Sequence, residues 1–368
     1  MVLLLISLGA WLLMLIVFAW RLGRLRGAGV PPVPLPVPLP QVSILVAARN
    51  EEAALPRCLA ALRTLQYPPE KIEILVGDDA STDATRAVAE AAMQGYGGRF
   101  QVLTISQNVG RARGKSNVLA HLAQVATSDY FFITDADIAV PPTWLSGLLA
   151  HAAPGVGTVT GITLVEGPRL LDRLQGLDWL FSLGLVQVAI EAGHAVTAMG
   201  NNMLVTRAAY FATGGYEVLS FSITEDYALF RAVLHAGFGF RHVFGPEVRA
   251  TSLPIRGWRA LLQQRRRWLR GVEALPWRLK LGVLVFGSVW VLLLALALVA
   301  GPVVALLAWT FKTLTEGVFA AVCFRRAGLR SPWFLLPAFE LYSLLMAVSL
   351  PLSRVLVRGV EWKGRKYN

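Results

Sequence analysis

The first twenty residues carry no charged side chain and are almost entirely apolar. A helix of this length rises about 30 Å, the thickness of the hydrocarbon core of a bilayer. A secretory signal peptide would have a basic start and a small-residue cleavage site, whereas this stretch has neither and contains Trp11 and Trp20. We therefore expect a permanent transmembrane anchor over residues 1–22, with a signal peptide as the alternative.

Charge is divided unevenly along the 368 residues, whose net charge is +12. Residues 1–40 contain 3 basic and no acidic side chains, residues 41–245 contain 14 basic and 18 acidic ones, and residues 246–368 contain 18 basic and 5 acidic ones. The basic excess therefore lies in the parts that also carry the apolar segments, which is typical of membrane flanks. Because no basic and aromatic motif of a nucleic-acid-binding module occurs, the predicted partner is the membrane and not nucleic acid.

Three further apolar segments follow near the C-terminus, at 281–300, 302–324 and 333–352. The first is uncharged, and the second contains Lys312 and Glu316, whose spacing of four places them on one helix face where they can pair. We expect two or three transmembrane helices within residues 281–353.

Basic residues flank these segments and predict the topology. Arg21, Arg24 and Arg26 lie at and just beyond the end of the anchor and predict that the next domain is cytoplasmic, at the inner membrane if the chain is bacterial. The tail, residues 354–368, is also basic and favours the same side, yet one N-terminal and three C-terminal spans would leave it outside. Either the last apolar segment is interfacial or re-entrant, or the charge rule fails there.

A proline-rich stretch, VPPVPLPVPLP, occupies residues 30–40. Alternating proline cannot form a helix and favours a semi-rigid polyproline II rod. Together with the basic residues before it, this stretch predicts a linker over residues 23–40 that spaces the anchor from the next domain.

The middle of the chain alternates between two patterns. Short apolar, β-branched runs occur at 41–47, 71–77, 101–105 and 130–134, and helical patterns lie between them at 52–65, 81–93 and 115–126. This alternation with short connections is typical of a parallel sheet that is covered on both faces. It predicts an α/β domain with a Rossmann-like, mostly parallel sheet over residues 41–250.

Polar and acidic residues follow three of these four strands, namely Arg49, Asn50, Glu51, Asp78, Asp79, Asp135 and Asp137. Ligands of such sheets bind beyond the carboxyl ends of the strands, so these side chains are predicted to meet in one crevice. Several carboxylates in one crevice repel one another, and a divalent cation, Mg²⁺ or Mn²⁺, with a nucleotide diphosphate would offset that repulsion. Each acidic pair taken alone has a turn or helix-cap role as its alternative.

Seven segments occur in order along residues 41–270: ARNEE (48–52), VGDDASTD (76–83), NVGRARGKSN (108–117), TDAD (134–137), GNNMLV (200–205), TED (224–226) and QQRRRW (263–268). In this combination they resemble the family 2 glycosyltransferases of the GT-A fold. The element Gln264-x-x-Arg267-Trp268 is similar to one found in processive polysaccharide synthases and in ceramide-glucosyltransferase-like enzymes. The ending Trp362-Lys363-Gly364-Arg365 resembles the tails of bacterial enzymes that glycosylate lipids or carotenoids.

The resemblance implies a nucleotide-sugar donor and assigns residues to it. Ala48, Arg49, Asn50, Glu51 and Asp79 are placed to contact base and ribose, with Asp78 as the alternative to Asp79. A carboxylate there accepts the N3–H of uracil and so favours a uridine nucleotide. Among Arg111, Arg113 and Lys115, the family pattern favours Lys115 for the diphosphate. Asp135 is expected to contact the ribose, the sugar or the metal, and Asp137 the metal.

The resemblance also implies an inverting transfer, which requires a base on the acceptor hydroxyl. Asp226 is the expected base, and Glu225 either takes that role or fixes the loop. Gln264, Arg267 and Trp268 lie in a basic, amphipathic stretch, residues 251–280, that suits the headgroup layer. There Arg267 is expected to bind diphosphate and Trp268 to pack on the acceptor, with an anchor that makes no catalytic contact as the alternative.

The predicted function is therefore a membrane-bound hexosyltransferase that acts on a lipid-borne hydroxyl. A processive polysaccharide synthase of the cellulose, chitin or hyaluronan kind is the first alternative, and the small number of predicted spans argues against its channel. A non-catalytic membrane scaffold is the second. The sugar, the acceptor and the oligomeric state are left open.

Overall fold

A computed structural model describes residues 1–25, 32–196, 199–222, 224–273, 275–356, 360–362 and 365–367, without the side chains of residues 270, 273 and 354–367. The predictions that concern Arg26, residues 30 and 31 of the proline stretch, Lys363 and Gly364 therefore fall outside the described residues. The chain divides into two compact units. The sheet unit comprises Arg26–Leu164 and Thr197–Leu253, and the helical unit comprises Met1–Leu25, Val165–Val196 and Pro254–Asn368.

The strands in the described residues are β1 (Val42–Ala48), β2 (Ile72–Asp78), β3 (Arg99–Thr104), β4 (Tyr130–Asp135), β5 (Ile138–Ala139), β6 (Val156–Thr160), β7 (Thr163–Val165), β8 (Asn202–Thr206), β9 (Gly239–His242), β10 (Ala250–Ser252), β11 (Val360–Trp362) and β12 (Arg365–Tyr367). The α-helices are α1 (Val2–Arg24), α2 (Leu55–Arg63), α3 (Thr85–Ala92), α4 (Lys115–Val125), α5 (Trp144–Leu149), α6 (Leu170–Glu191), α7 (Arg207–Ala212), α8 (Gly215–Val218), α9 (Glu225–His235), α10 (Trp258–Glu273), α11 (Trp277–Gly287), α12 (Val289–Ala300), α13 (Pro302–Arg326) and α14 (Leu336–Leu356).

The sheet unit is built on a seven-stranded sheet with the order β3-β2-β1-β4-β8-β6-β9. Its first four strands are the four predicted from sequence, and neighbouring pairs among them are parallel. The prediction of an α/β fold with a mostly parallel sheet is confirmed. The antiparallel strand β8, which pairs with β4 and β6, has no counterpart in the predicted set.

Both faces of the central strands are covered. Every residue of β2 is buried, and successive side chains of a strand point to opposite faces. Ile44 and Ile74 are fully buried neighbours in this core, and burying such a side chain contributes about 1.5–3 kcal/mol. The apolar, β-branched composition of these runs therefore favours strands inside a two-sided core.

The carboxyl ends of three strands meet at one edge of this sheet. The register places Ala48 opposite Asp78 and Ala47 opposite Asp135. The acidic strand ends singled out in the sequence are thus neighbours in space.

The described part of the proline stretch lies against the sheet unit instead of standing free as a spacer. The Val33 N–H donates to the Ala150 carbonyl at 2.7 Å, and the Tyr67 hydroxyl donates to the Pro40 carbonyl at 2.6 Å. Leu35 and Leu39 pack on the hydrophobic core. The leucines between the prolines bury apolar surface, and that gain holds the segment in place.

The helical unit holds the apolar helices. By length and composition, α1, α13 and the segment Trp333–Ser353 could each cross a membrane, and α11 with α12 makes a fourth span if the pair is counted as one. The predicted helix 281–300 is broken, because α11 and α12 meet at Ser288 with a bend of 41°. The Ser288 hydroxyl donates to the Val285 carbonyl at 2.7 Å, a side-chain bond that competes with regular helix bonding.

Helix α6 belongs to the helical unit, although its residues lie inside the predicted domain 41–250. Its Gly184 allows close approach to α13, since a Cβ there would lie 2.4 Å from Cys323 Sγ and 3.0 Å from Phe319. Glycine at this position therefore permits the contact between the two helices.

The expected pair of Lys312 and Glu316 is present, at 2.8 Å between Nζ and Oε2. Lys312 is fully buried, and its Nζ also bonds both carboxylate oxygens of Glu340 on α14 at 3.0 and 2.8 Å. Trp309 Nε1 donates to the same carboxylate at 2.9 Å. A buried charge requires such partners, and Glu340 is the one that the sequence did not reveal.

Candidate active site

The loops that follow β1 and β2 are joined by hydrogen bonds. The Asp79 N–H donates to the Ala48 carbonyl at 2.9 Å, and the Arg49 guanidinium donates to the Asp79 carbonyl. Arg49 Nη1 also lies 3.5 Å from Asp79 Oδ2. The two loops that carry the residues predicted to bind base and ribose are therefore linked to each other. Asp78 and Asp79 are both buried there.

Asn50 and Glu51 extend this structure. The Asn50 N–H donates to Ser81 Oγ, and Asn50 Oδ1 accepts from the Thr82 N–H, each at 2.9 Å. The Glu51 N–H donates to Thr85 Oγ1 at 2.8 Å. Ser81 and Thr82 of VGDDASTD, together with Thr85 just after it, thus support the ARNEE loop.

Two residues of this double loop have left-handed backbone conformations. Asn50 and Ala80 each have a φ of 51°. Asparagine tolerates this region, whereas alanine adopts it only where its surroundings enforce it. The residues between the two strand ends are therefore held in a defined shape, as expected of a ligand-binding loop.

Lys115 lies between carboxylates from two other elements. It is the first residue of α4 and follows Gly114, whose φ is 57°. Its Nζ lies 2.6 Å from Asp135 Oδ1 and 2.9 Å from Glu225 Oε1. Burial lowers the pKa of Lys115, but Asp135 and Glu225 outweigh burial and hold it above its ordinary value. Lys115 is therefore a permanent cation that offsets the repulsion between these acids.

Asp226 is oriented by two backbone groups at the start of α9. Its Oδ2 accepts from the Gly200 N–H at 3.0 Å, and its Oδ1 accepts from the Tyr227 N–H at 2.8 Å. Burial, reinforced by Glu225 and opposed by Lys115, raises the pKa of Asp226 to about 6. A carboxyl group with this pKa is largely ionised at neutral pH and is still basic enough to accept a proton.

Gly200 is a site residue whose role was not assigned from sequence. A Cβ on Gly200 would lie 2.5 Å from Asp226 Cβ and 2.9 Å from Asp226 Oδ2, so only glycine permits this approach. The motif GNNMLV was the available signal. Its Asn202 has a different function, because it is fully buried and its side chain bonds Ile162, Val248 and Trp144.

The carboxylates of Asp135 and Asp137 suit a cation that is also bound by a substrate. Asp135 ends β4, and Asp137 follows it before β5. Within the described residues, no group of three or more His, Cys, Asp or Glu side chains is arranged to hold a metal ion. Mg²⁺ and Mn²⁺ are commonly held by one or two carboxylates plus phosphate oxygens. Two hard oxygen ligands without a protein cage fit such a nucleotide-bound ion.

Gln264, Arg267 and Trp268 lie on α10, in the helical unit. The Trp268 ring centroid lies 4.2 Å from that of Trp179, and the Arg265 guanidinium carbon lies 4.3 Å from the Trp268 centroid. The structure thus joins Arg49 to Asp79 and Lys115 to Asp135 and Glu225. The ligand contacts assigned to all of these residues stay predictions.

The family model described as Glycosyl transferase family 21 matches residues 4–368. The chain belongs to this family. Membership confirms the resemblance to ceramide-glucosyltransferase-like enzymes and makes the chain an enzyme of the glycosyltransferase class.

Two curated relatives share part of this chain. The β-monoglucosyldiacylglycerol synthase of Synechocystis sp. is 28% identical over 327 residues, which are 81% of this chain and 66% of that protein. The poly-β-1,6-N-acetyl-D-glucosamine synthase of Staphylococcus epidermidis is 23% identical over 233 residues, which are 62% of this chain and 54% of that protein. The chain thus spans between half and two thirds of the length of these relatives.

A solved structure with the same fold is the mannosyltransferase PcManGT from Pyrobaculum calidifontis, in complex with GDP-Man and Mn²⁺. The TM-score is 0.62 with 20% identity, over 95% of this chain and 99% of the other. This likeness confirms the GT-A fold.

Proposed function

We propose that this protein transfers a hexose from a nucleotide donor to a lipid-borne hydroxyl group, with inversion at the anomeric carbon. The observation that carries the proposal is the carboxylate of Asp226, which two backbone N–H groups orient in one cluster with Lys115, Asp135 and Glu225. Asp226 removes the hydroxyl proton of the acceptor, the new bond forms between that oxygen and the anomeric carbon, and the bond to the donor diphosphate breaks.

The donor-binding part of the proposal rests on the two joined loops. Ala48, Arg49, Asn50 and Glu51 line the base and ribose, and Asp79 accepts the N3–H of uracil, with Asp78 as the alternative acceptor. A carboxylate also accepts the N1–H of guanine. For that reason the uridine donor is tested against a guanosine donor in the experiment below.

The diphosphate is assigned to Lys115 and to a divalent cation held by Asp135 and Asp137. When bound, the cation supplies positive charge to the leaving diphosphate. Lys115 exchanges its contacts with Asp135 and Glu225 for phosphate oxygens, and this exchange also frees Asp135 for the cation. The resemblance assigns Gln264, Arg267 and Trp268 of α10 to the diphosphate and the acceptor.

The membrane part of the proposal rests on the helical unit. Its candidate spans support a multi-pass membrane protein, and Arg21 and Arg24 in the last turn of α1 favour a cytoplasmic sheet unit. The proposed domain boundaries are 1–22, 23–40, 41–250, 251–280, 281–353 and 354–368. Helix α6 is the exception, because it packs with the spans although it lies within 41–250.

A lipid acceptor is favoured over a growing polymer. The relative named for a diacylglycerol glucoside is the more identical of the two compared and covers more of this chain. The described helices that could span a membrane number three, or four with the bent pair, which is few for a polymer channel. A scaffold without activity is disfavoured because the acids and Lys115 are arranged as a cluster of opposite charges.

The acceptor class is tested by incubating membranes that contain the protein with radiolabelled UDP-hexoses and, in parallel, GDP-mannose. We expect label from a UDP-hexose to partition into organic solvent, and we expect chelation of divalent cations to abolish the transfer. The matched control is the Asp226→Asn protein at equal abundance. Label in an insoluble polymer would establish the polysaccharide synthase instead, and transfer from GDP-mannose alone would overturn the uridine assignment.

The rate of transfer should fall as the pH is lowered through about 6, the pKa of Asp226. The sign follows from the base role, since protonation below that pH removes the acceptor of the hydroxyl proton. A cation bound beside Asp135 would move this fall in rate to lower pH, because positive charge favours the ionised carboxylate of Asp226. The measurement is kcat/KM against pH with the cation kept saturating. A rate that rises on acidification would exclude a carboxylate base.

A further inference from the structure

Three polar side chains lie on one face of α6 because they are spaced three residues apart, at Asp172, Gln175 and Asp178. Both carboxylate oxygens of Asp172 accept from Arg256 Nη1 at 3.1 Å. Gln175 bonds both backbone groups of Ile255, at 3.0 and 3.1 Å. This polar stripe therefore holds the chain that leads into α10.

Asp178, the last member of the stripe, connects three helices of the helical unit. Its Oδ2 accepts from Arg265 Nη2 of α10 at 2.5 Å and from the Tyr342 hydroxyl of α14 at 3.1 Å. Arg265 is only 9% exposed, so this carboxylate is the counter-charge of a largely buried guanidinium. Charge-assisted bonds of this kind are short and geometrically selective.

Arg265 in turn contacts the aromatic residue of the Gln264-x-x-Arg267-Trp268 element. Its guanidinium carbon lies 4.3 Å from the Trp268 ring centroid, within the range of a cation–π contact. The Trp268 indole also packs on Trp179, the residue next to Asp178, at 4.2 Å between centroids. Contacts with Arg265 and Trp179 thus restrain the Trp268 indole.

We propose that Asp178 is a positioning residue that acts through Arg265 to fix the Trp268 indole for the acceptor. This rests on the proposed function, which assigns the acceptor contact to Trp268. Arg265 is a long side chain with many rotamers, and a carboxylate partner selects one of them. Without the Asp178 carboxylate, the charge of Arg265 would be buried and unpaired. The guanidinium would then turn toward solvent and lose its contact with the Trp268 ring.

The test is Asp178→Asn in the full-length protein in lipid nanodiscs. We expect the KM for the acceptor lipid to rise about tenfold, because the ion pair with Arg265 becomes a weaker hydrogen bond to a neutral amide, while the donor KM stays within about twofold. The circular dichroism that arises from the neighbouring Trp179 and Trp268 indoles should weaken, and the same loss is expected of Trp179→Phe. Tyr342→Phe, which keeps the Arg265 pair, should shift both readouts in the same direction but less.

The matched control is Asp172→Asn, on the same face of the same helix but bonded to Arg256 instead of Arg265. It should change the acceptor KM and the indole signal much less than Asp178→Asn, because Arg256 lies before α10 and Arg265 is the residue that contacts the Trp268 ring. Equal effects of Asp172→Asn and Asp178→Asn would overturn the proposal, as would an Asp178→Asn protein that keeps the wild-type acceptor KM and signal. If Asp178→Asn does not fold, an unchanged Tyr342→Phe protein overturns it. If the wild type transfers no sugar, the proposed function fails, and the indole signal still decides whether Asp178 fixes Trp268.

Discussion

Replacing Asp226 with asparagine should lower kcat about 10²–10⁴-fold, the usual contribution of a positioned general base. Asparagine has nearly the same shape, and its carbonyl oxygen can still accept from the Gly200 N–H, but it cannot take the acceptor proton. Donor affinity should therefore change little, within about twofold. Steady-state kinetics and calorimetric titration of the donor nucleotide measure the two quantities separately.

Two variants control this experiment. Glu70→Gln neutralises an exposed carboxylate of the sheet unit that has no assigned role, and it should leave kcat unchanged. Glu225→Gln removes one of the two acids that pair with Lys115, and it tests the second candidate base separately from the first. An active Asp226→Asn protein together with an inactive Glu225→Gln protein would transfer the role of base to Glu225.

Replacing Lys312 with methionine should lower the free energy of unfolding by about 3–5 kcal/mol, the loss expected when one member of a buried ion pair is removed. The substitution leaves the carboxyl groups of Glu316 and Glu340 without the ammonium group that each of them contacts at 2.8 Å. Unfolding of the detergent-solubilised protein, followed by circular dichroism, measures the effect.

Lys280→Met is the matched control, because Lys280 lies exposed on α11 and its replacement should have little effect. A triple variant with Lys312→Met, Glu316→Gln and Glu340→Gln should recover part of the lost stability, since it removes all the charges together. Equal stability of the Lys312→Met protein and the wild type would show that the network does not hold the helices together.

The elements predicted from sequence are those whose pattern is local. The four apolar, β-branched runs became β1 to β4, with ends within about two residues of those expected, a usual error for such boundaries. The strand β8 and the break at Ser288 were not predicted, because neither depends on a local sequence pattern. An antiparallel partner is chosen by the neighbouring strands, and a single serine in an apolar run does not predict a bend.

The candidate site also has features that the sequence shows and features that depend on contacts between distant residues. Acidic residues at strand ends are visible in the sequence, and parallel strands bring their carboxyl ends together. The need for glycine at position 200 is not visible, because it arises from the distance to Asp226, which is 26 residues away. Arg265 is one of three consecutive arginines in QQRRRW, and nothing in that local pattern marks it as the partner of Asp178.

The α/β class, the apolar helices at both ends, the acidic strand ends and the glycosyltransferase resemblance could all be read from the amino-acid sequence. Each of these follows from periodicity, charge or a motif within a short stretch of chain. The tertiary structure was needed to show that Lys115 pairs with Asp135 and Glu225, that Glu340 joins Lys312, and that α6 belongs to the same unit as the apolar helices. These contacts join residues far apart in the chain, and burial makes each such partner necessary.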